Sequence, residues 1–226
     1  MALTPLYFIT MDNASRGTTG KPIGHAEQAA LACGAGIRMI QLRMKEAPDA
    51  EFRRVAGEVK QICDRNGCLL IVNDRVEIAA AVGAHGVHVG KEDLSVDEAR
   101  RILGPGKIVG GTANTLRDIQ KHVAGGADYI GLGPFRFTTT KRNLSPILGL
   151  EGYRRIVREM AGEGMSVRLF GIGGIGAADV GGLRDAGLFG VAFSGMLLEA
   201  ADPAAMVRTL EAEWRNRAGI VKENTF

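Results

Sequence analysis

The sequence predicts an α/β fold, a single (β/α)8 TIM barrel, on three observations. Short apolar runs alternate with longer helical stretches, strand then helix, eight times over. The apolar runs are continuous rather than alternating with polar residues, as expected of a parallel sheet covered by helices. Glycine is abundant, 32 of 226 residues, and gathers where strands end, which suits many tight strand-to-helix turns. A doubly wound open sheet is the alternative, but eight parallel strands with short, evenly spaced helices close more naturally.

Taken in order, the strand candidates are Leu6–Thr10, Met39–Arg43, Leu69–Asn73, Gly86–Val89, Lys107–Thr112, Tyr129–Leu132, Val167–Ile172 and Gly190–Phe193. The helix candidates between them are Gly24–Ala32, Asp49–Asn66, Arg75–Val82, Ser95–Leu103, Leu116–Ala124, Gly149–Gly162, Ala177–Ala186 and Pro203–Arg217. Local signals mark several ends. Ser95 with Glu98 three residues on is a capping box, and Gly104-Pro105-Gly106 stops that helix. Gly67 closes the second helix, and Asp202-Pro203 reads as a cap followed by proline in the first turn. Asn13–Lys21 reads as a polar, glycine-rich loop. No linker or composition shift divides the chain, so residues 1–218 form one expected barrel domain and Gly219–Phe226 a tail.

Composition excludes several classes. A net charge of +3 with scattered basic residues leaves no nucleic-acid patch. No apolar stretch approaches membrane-spanning length and no signal peptide precedes Leu6, so a cytoplasmic protein is expected. Cys33, Cys63 and Cys68 are odd in number and lack zinc-ligand spacing, and read as buried or idle thiols in a reducing compartment.

In such a barrel the chemistry lies at the C-terminal strand ends. The second strand ends Gln41-Leu-Arg43-Met-Lys45. Residues two apart share a face, so an amide and two cations turn the same way, which suits an anion. The third ends Asn73-Asp74-Arg75, and Lys91-Glu92-Asp93 follow the fourth. Asp74 alone would serve equally as a helix cap and Asp93 as a surface residue. Together, opposite Arg43, Lys45 and Lys141, they suit magnesium holding a pyrophosphate. The sixth strand runs past Gly133-Pro134 into Thr138-Thr-Thr140-Lys141, hydroxyls beside a cation. Thr112 ends the fifth strand within reach of a ligand, with Asn114 or Thr115 as the cap of the next helix. His88, inside a strand, reads as a core or lining histidine. Gly173-Gly174 after the seventh strand and Ser194-Gly195 after the eighth open helices with backbone N–H groups, the recurrent phosphate position of this fold. No Ser-His-Asp set or reactive cysteine stands out.

These residues resemble the thiamine-phosphate synthase family. The motifs are Gln41-Leu-Arg43-Met-Lys45, Val72-Asn73-Asp74-Arg75, Gly86-Val-His-Val-Gly-Lys-Glu-Asp93-Leu94, Gly131-Leu-Gly-Pro134 through Lys141, and Gly171-Ile-Gly-Gly174-Ile175. They run in the family's order and spacing across nearly the whole chain. The resemblance implies a barrel enzyme, a homodimer, that joins hydroxymethylpyrimidine pyrophosphate to a thiazole phosphate with magnesium. It implies that Asp74 and Asp93 hold the metal. Gln41, Arg43, Lys45, Asn73 and Lys141 would contact the pyrimidine pyrophosphate, and Thr138 and Thr140 would lie near the thiazole phosphate. Gly173, Gly174, Ser194 and Gly195 would hold that phosphate through their backbone, and Thr112 fills a small-hydroxyl position. Lys141, Arg43 and Thr112 would act in turnover, in which pyrophosphate leaves first and the thiazole nitrogen then attacks. The sequence departs from the family at Asn114, where a histidine is usual, at Lys91, where glutamine is common, and in the run Val191–Met196. The rivals are a thiazole tautomerase relative, a catalytically silent thiazole-phosphate binder, and another phosphate-binding barrel such as a sugar-phosphate epimerase.

Overall fold

Ten strands occur in the computed structural model, which describes residues 2–16, 20–137 and 146–216. Eight of them are parallel and close into a barrel: β1 (Leu6–Ile9), β4 (Met39–Leu42), β5 (Leu69–Asn73), β6 (Gly86–Val89), β7 (Ile108–Ala113), β8 (Tyr129–Leu132), β9 (Arg168–Gly171) and β10 (Gly190–Phe193). The ring closes where Leu6 of β1 pairs with Val191 of β10 and Phe8 with Ile40 of β4. The TIM-barrel expectation therefore holds, and the open sheet does not.

Helices follow the strands: α1 (His25–Ala35), α2 (Asp49–Arg65), α3 (Val76–Ala81), α4 (Val96–Leu103), α5 (Leu116–Ala124), α6 (Gly149–Gly162), α7 (Val180–Asp185), α8 (Gly195–Leu198) and α9 (Pro203–Arg215). The expected caps form. Glu98 accepts the Ser95 N–H at 2.8 Å, and Asp202 accepts the Ala205 N–H at 2.9 Å. Gly67 takes the left-handed angle (φ 62°) that ends the turn after α2.

Strand side chains sort by the period of two. Leu6, Phe8, Ile40, Leu42, Leu70, Val72, Val87 and Ile130 join the helices in the larger core. The alternate residues Tyr7, Met39, Leu69, Ile71, Tyr129, Phe170 and Ala192 form a second, smaller cluster that fills the ring. Each fully buried aliphatic or aromatic side chain contributes roughly 1.5–3 kcal/mol. The inner cluster thus makes the barrel a packed body whose mouth is the open end.

Three elements differ from the sequence reading. The Asn13–Lys21 loop contains a small antiparallel ribbon, β2 (Ser15–Arg16) with β3 (Lys21–Pro22), too short to leave a periodic pattern. The expected helix Ala177–Ala186 starts as a 3-10 turn, Ala177–Asp179, before α7. There the Asp179 carboxylate accepts the Gly176 N–H at 2.8 Å, and Gly181-Gly182 weaken the helix that follows. The four residues of α8 gave no helical period to read.

The three cysteines are buried, with Cys33 Sγ 3.1 Å from Cys68 Sγ. Contact with Cys63 and burial push the Cys33 thiol up to about 12, and its neighbour Cys68 is raised too. Both are therefore poor nucleophiles at neutral pH. Among the described residues no helix is long and apolar enough to cross a membrane.

Candidate active site

The site is built from strand ends. On β4 the period of two that sends Met39 inward also sends Gln41 inward. It is buried, and its Nε2 donates to the Tyr7 hydroxyl at 2.7 Å. Arg43 lies just past the strand, and its N–H donates to Thr10 Oγ1 at 3.1 Å. Burial lowers the pKa of its half-buried guanidinium, while the carboxylates of Asp12 and Asp74 act in the opposite sense. Lys45 is exposed, with Nζ 2.5 Å from Asp74 Oδ2 and its N–H donating to Asp12 Oδ2 at 3.3 Å.

On β5, Asn73 is buried at the last strand position. Asp74 follows in the left-handed region (φ 63°), with its N–H donating to the His88 carbonyl at 2.8 Å. A non-glycine residue there carries strain of about 1–2 kcal/mol. The cap position of α3 falls to Arg75, and the Asp74 carboxylate turns to Lys45. The simple capping alternative for Asp74 therefore does not hold. Asp93 accepts the Gly90 N–H at 2.8 Å through Oδ2. A Cβ at Gly90 would stand 2.6 Å from Asp93 Oδ2 and 3.9 Å from Asp74 Oδ1, so both carboxylates crowd one glycine. Burial first, then the neighbouring Asp93, raises the Asp74 pKa against the pull of Lys45. Lys45 pairs with Asp74 alone, so the two neighbouring carboxylates have room for a further cation. Among the described residues no group of three or more metal-ligating side chains forms, so among them a metal would have this pair to hold it. That is enough for magnesium, which usually takes one or two carboxylates and completes its shell with water and substrate phosphates.

Thr112 on β7 is gripped twice. Its Oγ1 is 2.9 Å from His88 Nε2, and its carbonyl is 2.9 Å from Nε2 of His122 on α5. Thr115 caps α5, accepting the Asp118 N–H at 3.1 Å. Asn114 donates to the Gly133 carbonyl. Lys91 points to α5, 2.7 Å from Asp118.

On the β8–β9 side a cis Gly133–Pro134 bond leads to Phe135, whose N–H donates to the Ile172 carbonyl at 2.9 Å. Arg136 donates its N–H to the Gly173 carbonyl at 3.0 Å and grips Asp179 through both guanidinium nitrogens. Gly173 and Gly174 hold φ of 87° and 71°, and a Cβ on Gly173 would meet Pro134 at 2.9 Å. Glycine is needed there for angle and for space. Ser194 and Gly195 stand at the next strand end, where α8 begins.

The structure thus brings Arg43, Lys45, Asp74 and Asp93 together at one part of the mouth. Gln41 and Thr112 face the ring interior, and Gly173, Gly174, Ser194 and Gly195 lie at the ends of β9 and β10. Thr138, Thr140 and Lys141 lie outside the described residues. Sequence reasoning passed over the first strand end. Thr10 is fully buried, with its hydroxyl 2.9 Å from His25 Nδ1, and His25 Nε2 is 3.3 Å from Asp12 Oδ1. This has the composition of a nucleophilic triad, but the Thr10 hydroxyl is enclosed and accepts the Arg43 N–H. The trio is a clamp that fixes the turn carrying Arg43. Applying the strand-end rule to Thr10-Met11-Asp12 would have found it. Tyr7 and Tyr129 were passed over too, although a tyrosine inside an apolar strand signals a partner for its hydroxyl.

Comparison with known proteins identifies relatives across most of the chain. The family model for thiamine monophosphate synthase matches residues 6–197. The thiamine-phosphate synthase of Bacteroides thetaiotaomicron is 47% identical over 184 residues, covering 81% of this chain and 88% of that protein. That of Flavobacterium johnsoniae is 44% identical, covering 79% of this chain and 84% of its own. Among solved structures, thiamine phosphate pyrophosphorylase from Pyrococcus furiosus superposes with a TM-score of 0.79 at 28% identity, covering 95% of this chain and 97% of that one. The chain belongs to the thiamine monophosphate synthase family.

Proposed function

We propose that this chain transfers the hydroxymethylpyrimidine group from its pyrophosphate to a thiazole phosphate, giving thiamine phosphate and pyrophosphate. Beyond family membership, the observation that carries this is the meeting of Arg43, Lys45, Asp74 and Asp93 at adjacent strand ends. Two cations and two carboxylates suit a pyrophosphate together with a divalent metal.

In this reading Asp74 and Asp93 hold magnesium, which when bound neutralises charge on the departing pyrophosphate. Arg43 and Lys45 bind the pyrophosphate from the chain's own side, joined by Lys141. Gln41 and Asn73 orient the pyrimidine end, and Thr112 directs its hydroxyl toward the reacting group. Thr138, Thr140 and the backbone at Gly173, Gly174, Ser194 and Gly195 receive the thiazole phosphate. The C–O bond to pyrophosphate breaks first, its electron pair leaving with the pyrophosphate. The resulting pyrimidinylmethyl cation, stabilised by its amino-pyrimidine ring, is then attacked by the thiazole nitrogen. The protein supplies charge stabilisation and positioning, with no covalent nucleophile. The same reading carries a homodimer and a cytoplasmic setting.

Asn114 counts against the tautomerase alternative. It stands where a proton-transferring histidine would be expected, and its amide is tied to the Gly133 carbonyl. An amide is too weak an acid and too weak a base to serve as a general acid or base at neutral pH.

Pyrophosphate release tests the proposal. The pyrimidine pyrophosphate with thiazole phosphate and magnesium should release pyrophosphate at a rate that falls sharply when thiazole phosphate or magnesium is withheld. Equal release without thiazole phosphate would make the protein a hydrolase and overturn the transfer reading.

A further inference from the structure

A continuous hydrogen-bonded chain crosses the barrel interior and joins two residues of the site. Gln41 Nε2 donates to the Tyr7 hydroxyl at 2.7 Å, and the Tyr7 and Tyr129 hydroxyls are 2.9 Å apart. The Tyr129 hydroxyl is 3.0 Å from His88 Nδ1, and His88 Nε2 is 2.9 Å from Thr112 Oγ1. All five side chains are buried, with Tyr129 fully so.

The rings have no freedom to swing. Tyr129 packs edge-on against Tyr7 and Phe170 and lies stacked on His88, with the ring centres 5.5 Å apart. Two glycines make space for them. A Cβ at Gly110 would stand 2.1 Å from Tyr129 Cζ, and one at Gly131 would stand 3.0 Å from His88 Cε1.

The inventory of protons gives the chain a direction. An amide nitrogen only donates, so the Tyr7 oxygen accepts. Were Tyr129 to donate to Tyr7 as well, the Tyr7 proton would need another acceptor, and none is found among the described residues. Leaving it unmade inside the ring costs roughly 1–3 kcal/mol. Tyr7 therefore donates to Tyr129. Tyr129, with one proton, donates to His88 Nδ1. His88 is then a neutral imidazole carrying its proton on Nε2, and it donates to Thr112. Thr112 Oγ1 thus accepts from His88, and its own proton is left to give.

We infer that Tyr129 and His88 are positioning residues that polarise Thr112 as a hydrogen-bond donor and tie its orientation to that of Gln41 across the barrel. The part played by Thr112 in turnover rests on the synthase reading; the direction of the chain does not. Neither Tyr129 nor His88 needs to touch substrate.

The test is the tautomer of His88, read by 15N NMR on ligand-free protein labelled at histidine and assigned against His88→Gln. Wild-type protein should show Nε2–H. Tyr7→Phe cuts the chain upstream of Tyr129 and should keep that tautomer. Tyr129→Phe removes the donor to Nδ1 and should shift the population toward Nδ1–H. In the same variant kcat should fall about tenfold with KM for both substrates nearly unchanged, the scale of one misdirected hydrogen bond. Nδ1–H or an imidazolium in wild type would overturn the inference, even if Tyr129→Phe fails to fold. An unchanged spectrum in folded Tyr129→Phe would overturn it too. Nε2–H in a protein that makes no product would sink the synthase reading instead and leave the direction of the chain standing.

Discussion

Single residues at the mouth are where charge is concentrated, and there the account is most exposed to mutation. Asp93 does two things: it accepts the Gly90 N–H and it faces Asp74. Asparagine preserves the first and removes the charge. Asp93→Asn should therefore keep the thermal midpoint close to wild type while kcat falls by about a hundredfold, the scale of losing one preorganised electrostatic partner. Steady-state kinetics across a magnesium titration would check this, and wild-type turnover would contradict the metal assignment. Much of this site was legible beforehand, because strand-end position and charge type are written in the sequence. Arg43, Lys45, Asp74 and Asp93 fall where that rule puts them. Asp12 falls under the same rule and was passed over, whereas His25 was not legible, since its role depends on how the turn after β1 lies against Arg43.

At the level of elements, strands with a strong apolar signal were read to within a residue or so, while Ser15–Arg16, Lys21–Pro22 and Gly195–Leu198 are too short to carry a period. Burial inside the ring also imposes constraints that no local pattern reveals. Gly110 looks like one of many glycines, yet it is where the Tyr129 ring fits. Gly110→Ala should destabilise the barrel by about 3 kcal/mol through overpacking, measurable by urea unfolding; a loss below half of that would mean that the ring yields. The start of α5 makes a second prediction. Burial tends to raise the Asp118 carboxyl, but Lys91, the Asn114 N–H and the Thr115 side chain outweigh it and hold it down at about 2. A depressed carboxyl stabilises the fold above its ordinary value near 3.8 and loses that effect as pH falls toward 2. With solvent screening the contribution is on the order of 1 kcal/mol. Asp118→Asn should cost that much at pH 7, and the gap from wild type should close between pH 4 and 2. A gap that persists at pH 2 would place the effect elsewhere.

For the whole molecule, the alternation of strand and helix foretold closure, and closure brings distant motifs to one mouth. Lys45 and Asp74 are 29 residues apart in sequence and 2.5 Å apart in the fold. What the alternation could not foretell is the inner layer, where Gln41, Tyr7, Tyr129, His88 and Thr112 meet from five strands. Their contact depends on the register of the closed ring. The central claim is that this barrel is a coupling enzyme, and one measurement tests it most directly. Purified protein is given hydroxymethylpyrimidine pyrophosphate and thiazole phosphate, with and without magnesium, and thiamine phosphate and pyrophosphate are quantified together. The account predicts both products in equal amounts, dependent on magnesium. Thiazole phosphate bound by the protein but never joined to the pyrimidine would contradict it.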